Sequence, residues 1–380
     1  MLCSSPRISP QASPPGRTSS RMSAQTSAQT SAQTPARTFA KTLTRPSAPM
    51  SAPASRAKPT FLPTLALALA AAFVLTAVPL QAHAAWPDKP ITLIVPFPPG
   101  GGTDLVVRSL QAGLSQRLGQ TVVITNVGGA GGTIGSAQAA RARPDGYTAL
   151  AVTTSTHAVA ASLYKQLPYD PVSDFSYAGF IGTSPYVLVA NTTLKASTVA
   201  DLAKVLKAKG SGSYASVGAG TVSHLLGEMF AKDRGLTLTH IPYRGAAPAY
   251  TDLIGNQVDI LFDNPVGLAP FVRSGKMTAL ATTAPTPILP DVPTFAQQGM
   301  PTYTQQLWYG LAFPKGTPAD IVTRTNAALN AVLNDPAVAQ DLAAKGVAVR
   351  ADTPDALTTA VAHDVPFWGK LVRSIGVQLD

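Results

Sequence analysis

Two glycine-rich segments carry the first chemical signal in this chain. Pro98-Pro99-Gly100-Gly101-Gly102-Thr103-Asp104 and Gly128-Gly129-Ala130-Gly131-Gly132-Thr133 each follow an apolar, β-branched run and precede a helical pattern. Glycine leaves backbone N–H groups unobstructed, and a helix N-terminus adds partial positive charge, so such a turn suits an anion. The dinucleotide fingerprint G-x-G-x-x-G fails, because its last position counted from Gly129 falls on Ile134, and no G-x-x-x-x-G-K-[ST] occurs. Asp104 sits in the first helical turn and would repel a multiply charged phosphate; the loop fits a weakly charged carboxylate better. Tight turns alone would explain one such loop, whereas two at equivalent strand-to-helix positions favour binding. A third cluster, Ser216 to His224 (SVGAGTVSH), adds hydroxyls and free N–H groups at another helix start.

Catalytic constellations are scarce. There is no G-x-S-x-G, no H-E-x-x-H, and the single cysteine is Cys3. Glu228 is the only glutamate, so paired-carboxylate chemistry would have to come from aspartates. A secreted hydrolase would have to use Ser223 with His224, or His157 with an aspartate. Adjacent helical residues point about 100° apart, which argues against the first pair. Arg244 reads either as a bidentate carboxylate ligand or as a partner for an acid such as Asp259. Asp263-Asn264 reads as a turn or as a site for a ligand that brings an amine or hydroxyl.

These residues need a scaffold, and the pattern supplies one. Ile91 to Phe97, Thr121 to Asn126, Tyr147 to Thr154, Tyr186 to Asn191, Gly212 to Ser216, Thr237 to Tyr243, Val258 to Asp263, Met277 to Thr283 and Tyr309 to Phe313 read as strands. Between them lie helical patterns, such as Val106, Leu110, Leu114 and Leu118 stopped by Gly119. Thr198 with Asp201 forms a helix-start pair. The alternation predicts α/β architecture with parallel, doubly wound sheets, and the length allows two of them.

The N-terminal part is different. Leu65 to Val78 is a 14-residue apolar run behind Arg56 and Lys58, followed by Ala82-His83-Ala84. That is the pattern of a secretory signal with cleavage after Ala84, too short for a spanning helix of about 20 residues. Residues 1–49 carry the repeat SAQTSAQTSAQT, and Met50 opens an ordinary signal, so translation is expected to start there. The leader holds eight basic residues and no acid, leaving 21 of the 29 basic residues against all 19 acidic ones. The net charge of +10 therefore belongs largely to the leader and gives no warrant for nucleic-acid binding.

From Trp86 onward the chain resembles the Bug family, the tripartite tricarboxylate transporter receptors. The resemblance rests on WPDKPITLIVPFPPGGGTD, the GAGG turn ending GTIG, PDGYT, LPYDPVSDF, GAGTVSHL, IPYRGAAPAYTDLIGNQVD, LPDVPTFAQQGMP and WYGLAFPKGTP, in that order. No one stretch is specific; the ordered set is. It implies a two-domain periplasmic-binding-protein fold, a type II-like Venus flytrap with two hinge crossings near Ser184–Tyr186 and Pro301–Tyr303. The expected division is a leader over 1–84, one domain over 85–185 with 303–380, and a second over 186–302. The implied function is periplasmic capture of a small organic carboxylate for delivery to membrane permease subunits, or to a sensor protein. A monomer is expected, with no cofactor, no metal and no enzymatic activity. Carried over, the resemblance places Phe97, Gly100, Gly101, Gly102, Thr103, Asp104, Thr154, Ser155, Ser216, Gly218, Thr221, Ser223, His224, Arg244, Asp263 and Asn264 in the site. The chain departs from the family where the loop after TVVI has lost an acid and a proline, and where Ala284-Pro285-Thr286-Pro287 replaces a usual arginine.

Overall fold

The computed structural model describes residues 85–380; the leader, its cleavage point and the start at Met50 lie outside the described residues. The chain runs β1 (Ile91–Val95), α1 (Gly102–Leu118), β2 (Val122–Asn126), α2 (Thr133–Ala140), β3 (Thr148–Thr153), α3 (Ala160–Leu163) and β4 (Phe175–Pro185). It continues through β5 (Val187–Ala190), α4 (Val199–Lys209), β6 (Gly212–Ser216), α5 (Val222–Arg234), β7 (Leu238–Pro242), α6 (Ala246–Ile254), β8 (Ile260–Asp263), α7 (Pro265–Arg273) and β9 (Thr278–Thr282). It ends with β10 (Gln306–Pro314), α8 (Ala319–Leu333), α9 (Pro336–Ala344), β11 (Ala348–Val349) and α10 (Pro354–Ile375).

The strands form two sheets, ordered β11-β4-β10-β3-β1-β2 and β7-β6-β8-β5-β9. Neither sheet is fully parallel. β1 pairs in parallel with β2 and β3, but β10 is antiparallel to β3 and β4. Likewise β6 is parallel to β7 and β8, while β5 is antiparallel to β8 and β9. The reason lies in the path of the chain. Only Tyr186 separates β4 from β5, so β5 enters the second sheet from the edge facing the first and runs away from it. The parallel strands β2, β3, β6, β7 and β8, each preceded by a helix, run the other way, as does β1. β10 enters the first sheet after the return crossing and is reversed for the same reason.

The first crossing is clasped to the end of β9. The Tyr186 N–H donates to Thr283 Oγ1 at 2.9 Å, and the Thr283 N–H donates to the Tyr186 carbonyl at 2.9 Å. Phe262, Phe295 and Tyr303 stack at 5.9 and 4.5 Å, which seats the return crossing on the second sheet. In the first core, Val106, Leu110, Leu114 and Leu118 of α1 are buried with Leu93, Ile94 and Val95 of β1. A second core gathers Val187, Val189, Leu253, Leu261 and Leu268. No helix among the described residues is long and apolar enough to cross a membrane.

Capping follows the local sequence. The Thr198 side chain accepts from the Asp201 N–H at 3.0 Å, and Gly119 ends α1 in the left-handed region. Thr198→Ala is expected to lower stability by about 1 kcal/mol, read from the denaturation midpoint at unchanged slope.

Candidate functional site

The carboxyl ends of β1, β3, β6 and β8 open onto one cleft between the sheets, the position where open α/β sheets bind ligands. Its inner pocket is lined from the first sheet by Phe97, Gly101, Gly102, Thr103, Thr153 and Ser155, and from the second by Tyr186, Val217, Gly245, Ala246, Asp263 and Asn264. The free volume there is only about 40 Å³, room for one or two waters or a carboxylate head. It adjoins an outer groove of about 650 Å³, walled by Pro99, the Gly128–Gly132 turn, Gly218, Tyr243 and Arg244.

Helix ends set the electrostatics. α4, α5 and α7 are capped by the side chains of Thr198, Thr221 and Asn264. α1, α2 and α6 start on Gly101, Gly132 and Gly245, with no side-chain cap. Those three glycines all line the cleft. Two of the uncapped helices belong to the first sheet and one to the second. The N–H groups at the start of α2 are taken up by the preceding turn, Gly132 on the Gly129 carbonyl and Thr133 on that of Ala130. The orphan N–H groups therefore come from α1 and α6, and with the positive helix ends they converge from both sides, an arrangement that favours an anion. Among the described residues no Lys, Arg or His lines the inner pocket; Arg244 is exposed in the outer groove.

The residues expected in the site divide into three groups. Phe97, Gly101, Gly102, Thr103, Ser155, Asp263 and Asn264 line the inner pocket. Gly218 and Arg244 line the outer groove. Arg244 is not the partner of Asp259, which holds Lys209 Nζ at 2.8 Å and the Ser213 N–H at 2.8 Å. The remaining residues line neither cavity. Asp104, 1% exposed, accepts from the Gly100 N–H at 2.9 Å, Arg108 Nε at 2.8 Å and Asn126 Nδ2 at 2.9 Å. Burial pushes its carboxyl up, but these hydrogen bonds outweigh it and hold the group below the usual range. Asp104 and Gly100 therefore brace the loop rather than face the cleft.

Thr154 is fully buried and accepts from the Trp308 N–H at 2.9 Å, joining β3 to β10. Ser216 bonds His240 Nε2 at 2.7 Å, Thr221 caps α5, and Ser223 donates to the Phe262 carbonyl. His224 stacks on His240 at 4.0 Å and accepts from the Gly220 N–H at 3.3 Å. Hence Ser223 and His224 serve separate partners, and Ser216, though touching a histidine, is sealed from both cavities. His157 is fully buried against Phe175 at 4.6 Å, and burial pushes its imidazole down to about 3, so it stays neutral. Among the described residues no group of three or more His, Cys, Asp or Glu could hold a metal.

Several lining residues gave no signal in sequence. Tyr186 and Leu307 reach the pocket only because the crossings bring them there. Gly245 and Ala246 repeat the strand–glycine–helix pattern after β7, so the rule applied to the first two loops could have found them.

The two sides touch across the cleft. Ser155 Oγ accepts from the Val222 N–H at 3.2 Å, and the Tyr164 hydroxyl, shared with the Ala130 carbonyl on its own side at 2.9 Å, reaches the Ala219 carbonyl on the other at 3.2 Å. Ser155→Ala should remove roughly 1 kcal/mol from the closed form, about a fivefold loss of ligand affinity by titration calorimetry.

The chain matches the model of the tripartite tricarboxylate transporter family receptor over residues 106–377. It is 36% identical over 319 residues to protein BugT of Bordetella pertussis, covering 82% of this chain and 98% of BugT. Among solved structures it resembles the periplasmic binding protein BugD, with 38% identity, a TM-score of 0.74, and 77% and 99% of the two chains covered. It also resembles malate-bound MatC from Rhodopseudomonas palustris, with 32% identity, a TM-score of 0.72, and 76% and 100% covered. The architecture is that of the two-domain periplasmic binding proteins, a Venus flytrap.

Proposed function

Because this chain belongs to the tripartite tricarboxylate transporter family of receptors, we propose that it is a periplasmic receptor that closes on a small organic carboxylate and presents it to membrane permease subunits. One observation carries this reading: three uncapped helix N-termini, from both sheets, meet at one cleft whose inner pocket has no basic side chain among its described lining residues. The inner pocket takes the carboxylate head on backbone N–H groups of Gly101–Thr103 and Ala246, with Ser155, Asp263 and Asn264 around it. The rest of the ligand extends into the outer groove towards Arg244. Closure is a hinge motion of one domain, residues 85–185 with 303–380, against the other, residues 186–302, and ligand favours the closed state. The signal pattern ending at Ala84 supports export and a mature periplasmic chain.

A thermal-shift screen of residues 85–380, refolded to strip ligand, tests the reading with acetate, malate, adipate and benzoate. An acid at about 100 times its Kd should add ~2.7 kcal/mol, a shift of roughly 5 °C. No shift with any acid would overturn it.

A further inference from the structure

Asp263 ends β8, lines the inner pocket and is 2% exposed. Its carboxyl faces neutral groups on every side. Oδ2 accepts from the Tyr250 hydroxyl of α6 at 2.6 Å; Oδ1 accepts from the Asn264 N–H at 2.8 Å and Asn264 Nδ2 at 3.0 Å. Tyr186 from the first crossing and Tyr309 from β10 complete the surround, and the Asp263 charge raises both phenols further on top of their burial. The Tyr309 hydroxyl is fully buried with no partner among the described residues. The charged groups on neighbouring elements are turned elsewhere. Asp104 on α1 is paired with Arg108, and His224 and Glu228 on α5 face His240 and Tyr214. Arg244 lies in the outer groove. Burial pushes the Asp263 carboxyl up to about 6, against the pull of Tyr250 and Asn264.

Two of the helix ends that favour an anion, those of α1 at Gly101 and α6 at Gly245, open into the same pocket. A ligand carboxylate there would place a second negative charge in about 40 Å³ with no basic side chain among the described lining residues. Two like charges sharing a desolvated site do not both stay ionised. We propose that Asp263 takes up a proton from solvent as a carboxylate enters the inner pocket, so that the receptor binds its ligand together with one proton. The ligand keeps its charge, Asp263 becomes a neutral carboxylic acid, and the pocket holds one negative charge throughout. Protonation also turns an oxygen that could only accept into a donor, which the ligand carboxylate can use. This inference rests on the carboxylate reading of the cleft.

Titration calorimetry of residues 85–380 with malate and with adipate, in PIPES and in Tris at one pH near 7, counts the protons. The expected result is a buffer-dependent enthalpy corresponding to between half and one proton taken up per ligand. Affinity should weaken by about threefold to tenfold per pH unit from 6.5 to 8, in step with the proton count, where both acids are fully ionised. Asp263→Asn should abolish the uptake and flatten the pH dependence. Binding with equal enthalpy in both buffers and equal affinity from pH 6.5 to 8 would overturn the inference while leaving the carboxylate reading intact. Binding of neither acid, nor of acetate or benzoate, at any of these pH values would instead overturn the carboxylate reading and the inference with it. The two-buffer measurement decides the matter on the unaltered protein if the variant does not fold.

Discussion

Gly102→Ala should leave the ligand-free protein folded and weaken carboxylate binding by about 100-fold, the equivalent of nearly 3 kcal/mol. A Cβ at Gly102 would lie 2.5 Å from Asn264 Oδ1 and 2.8 Å from Nδ2, across the cleft. Asn264 cannot swing aside freely. Its Oδ1 caps α7 on the Val266 N–H at 3.2 Å, and its Nδ2 donates to Asp263 at 3.0 Å. Moving it uncaps a helix and breaks a buried hydrogen bond, each worth about 1 kcal/mol, and shifts the pocket wall as well. With the cleft open the methyl meets nothing on the far side, and alanine suits the start of a helix. Calorimetry should show the lost affinity, and thermal denaturation without ligand an unchanged midpoint. Undiminished affinity would mean that closure of these two loops is not part of binding. Gly131→Ala meets the Ala219 carbonyl at 2.5 Å in the same way, but its φ of 63° strains the free protein too, so Gly102 is the cleaner probe.

The second large effect concerns stability without ligand. Asp263 has a folded-state pKa pushed up by burial to about 6, from an ordinary value of 3.8. An acid whose folded pKa is raised binds protons better in the folded state. Its contribution is therefore absent below about pH 4, and stability is lost as pH rises from there through 6, to a plateau of roughly 3 kcal/mol. Asp263→Asn removes that loss while keeping groups able to bond Tyr250 and Asn264. The variant should match the parent near pH 4 and melt several degrees higher at pH 7.5. A variant that melts lower at pH 7.5 than the parent would show that the ionised carboxylate stabilises the fold.

Much of this architecture was legible because it obeys local rules. The stripe Val106, Leu110, Leu114, Leu118 and its stop at Gly119 became α1, and Thr198 capped α4 through Asp201. The glycine turns were readable for the same reason: a strand, a glycine and a helix start are adjacent in sequence. Strand direction was not legible. β5 and β10 run antiparallel because of where the chain has come from, which no residue in VLVA or WYGLAF encodes. β4, reading FSYAGFIGTSP, lacks alternation and carries two glycines, so its strand character comes from pairing with β10 on one side and β11 on the other. In the cleft, Asp104 and His224 are the residue types a ligand would want. Their partners, Arg108 and Asn126 for one, His240 and Gly220 for the other, are supplied by the fold and turn them inward. Tyr186 and Leu307 show the converse, since ordinary core types become pocket walls at the crossings.

The central claim is that the cleft binds an anion through helix ends and backbone N–H groups. Titration calorimetry of residues 85–380 with each acid found by the screen, and with the matching primary amide, tests it most directly. The amide keeps size and shape and removes the charge. The account predicts that the acid binds and the amide binds at least about 100-fold more weakly. Equal binding of acid and amide would contradict it.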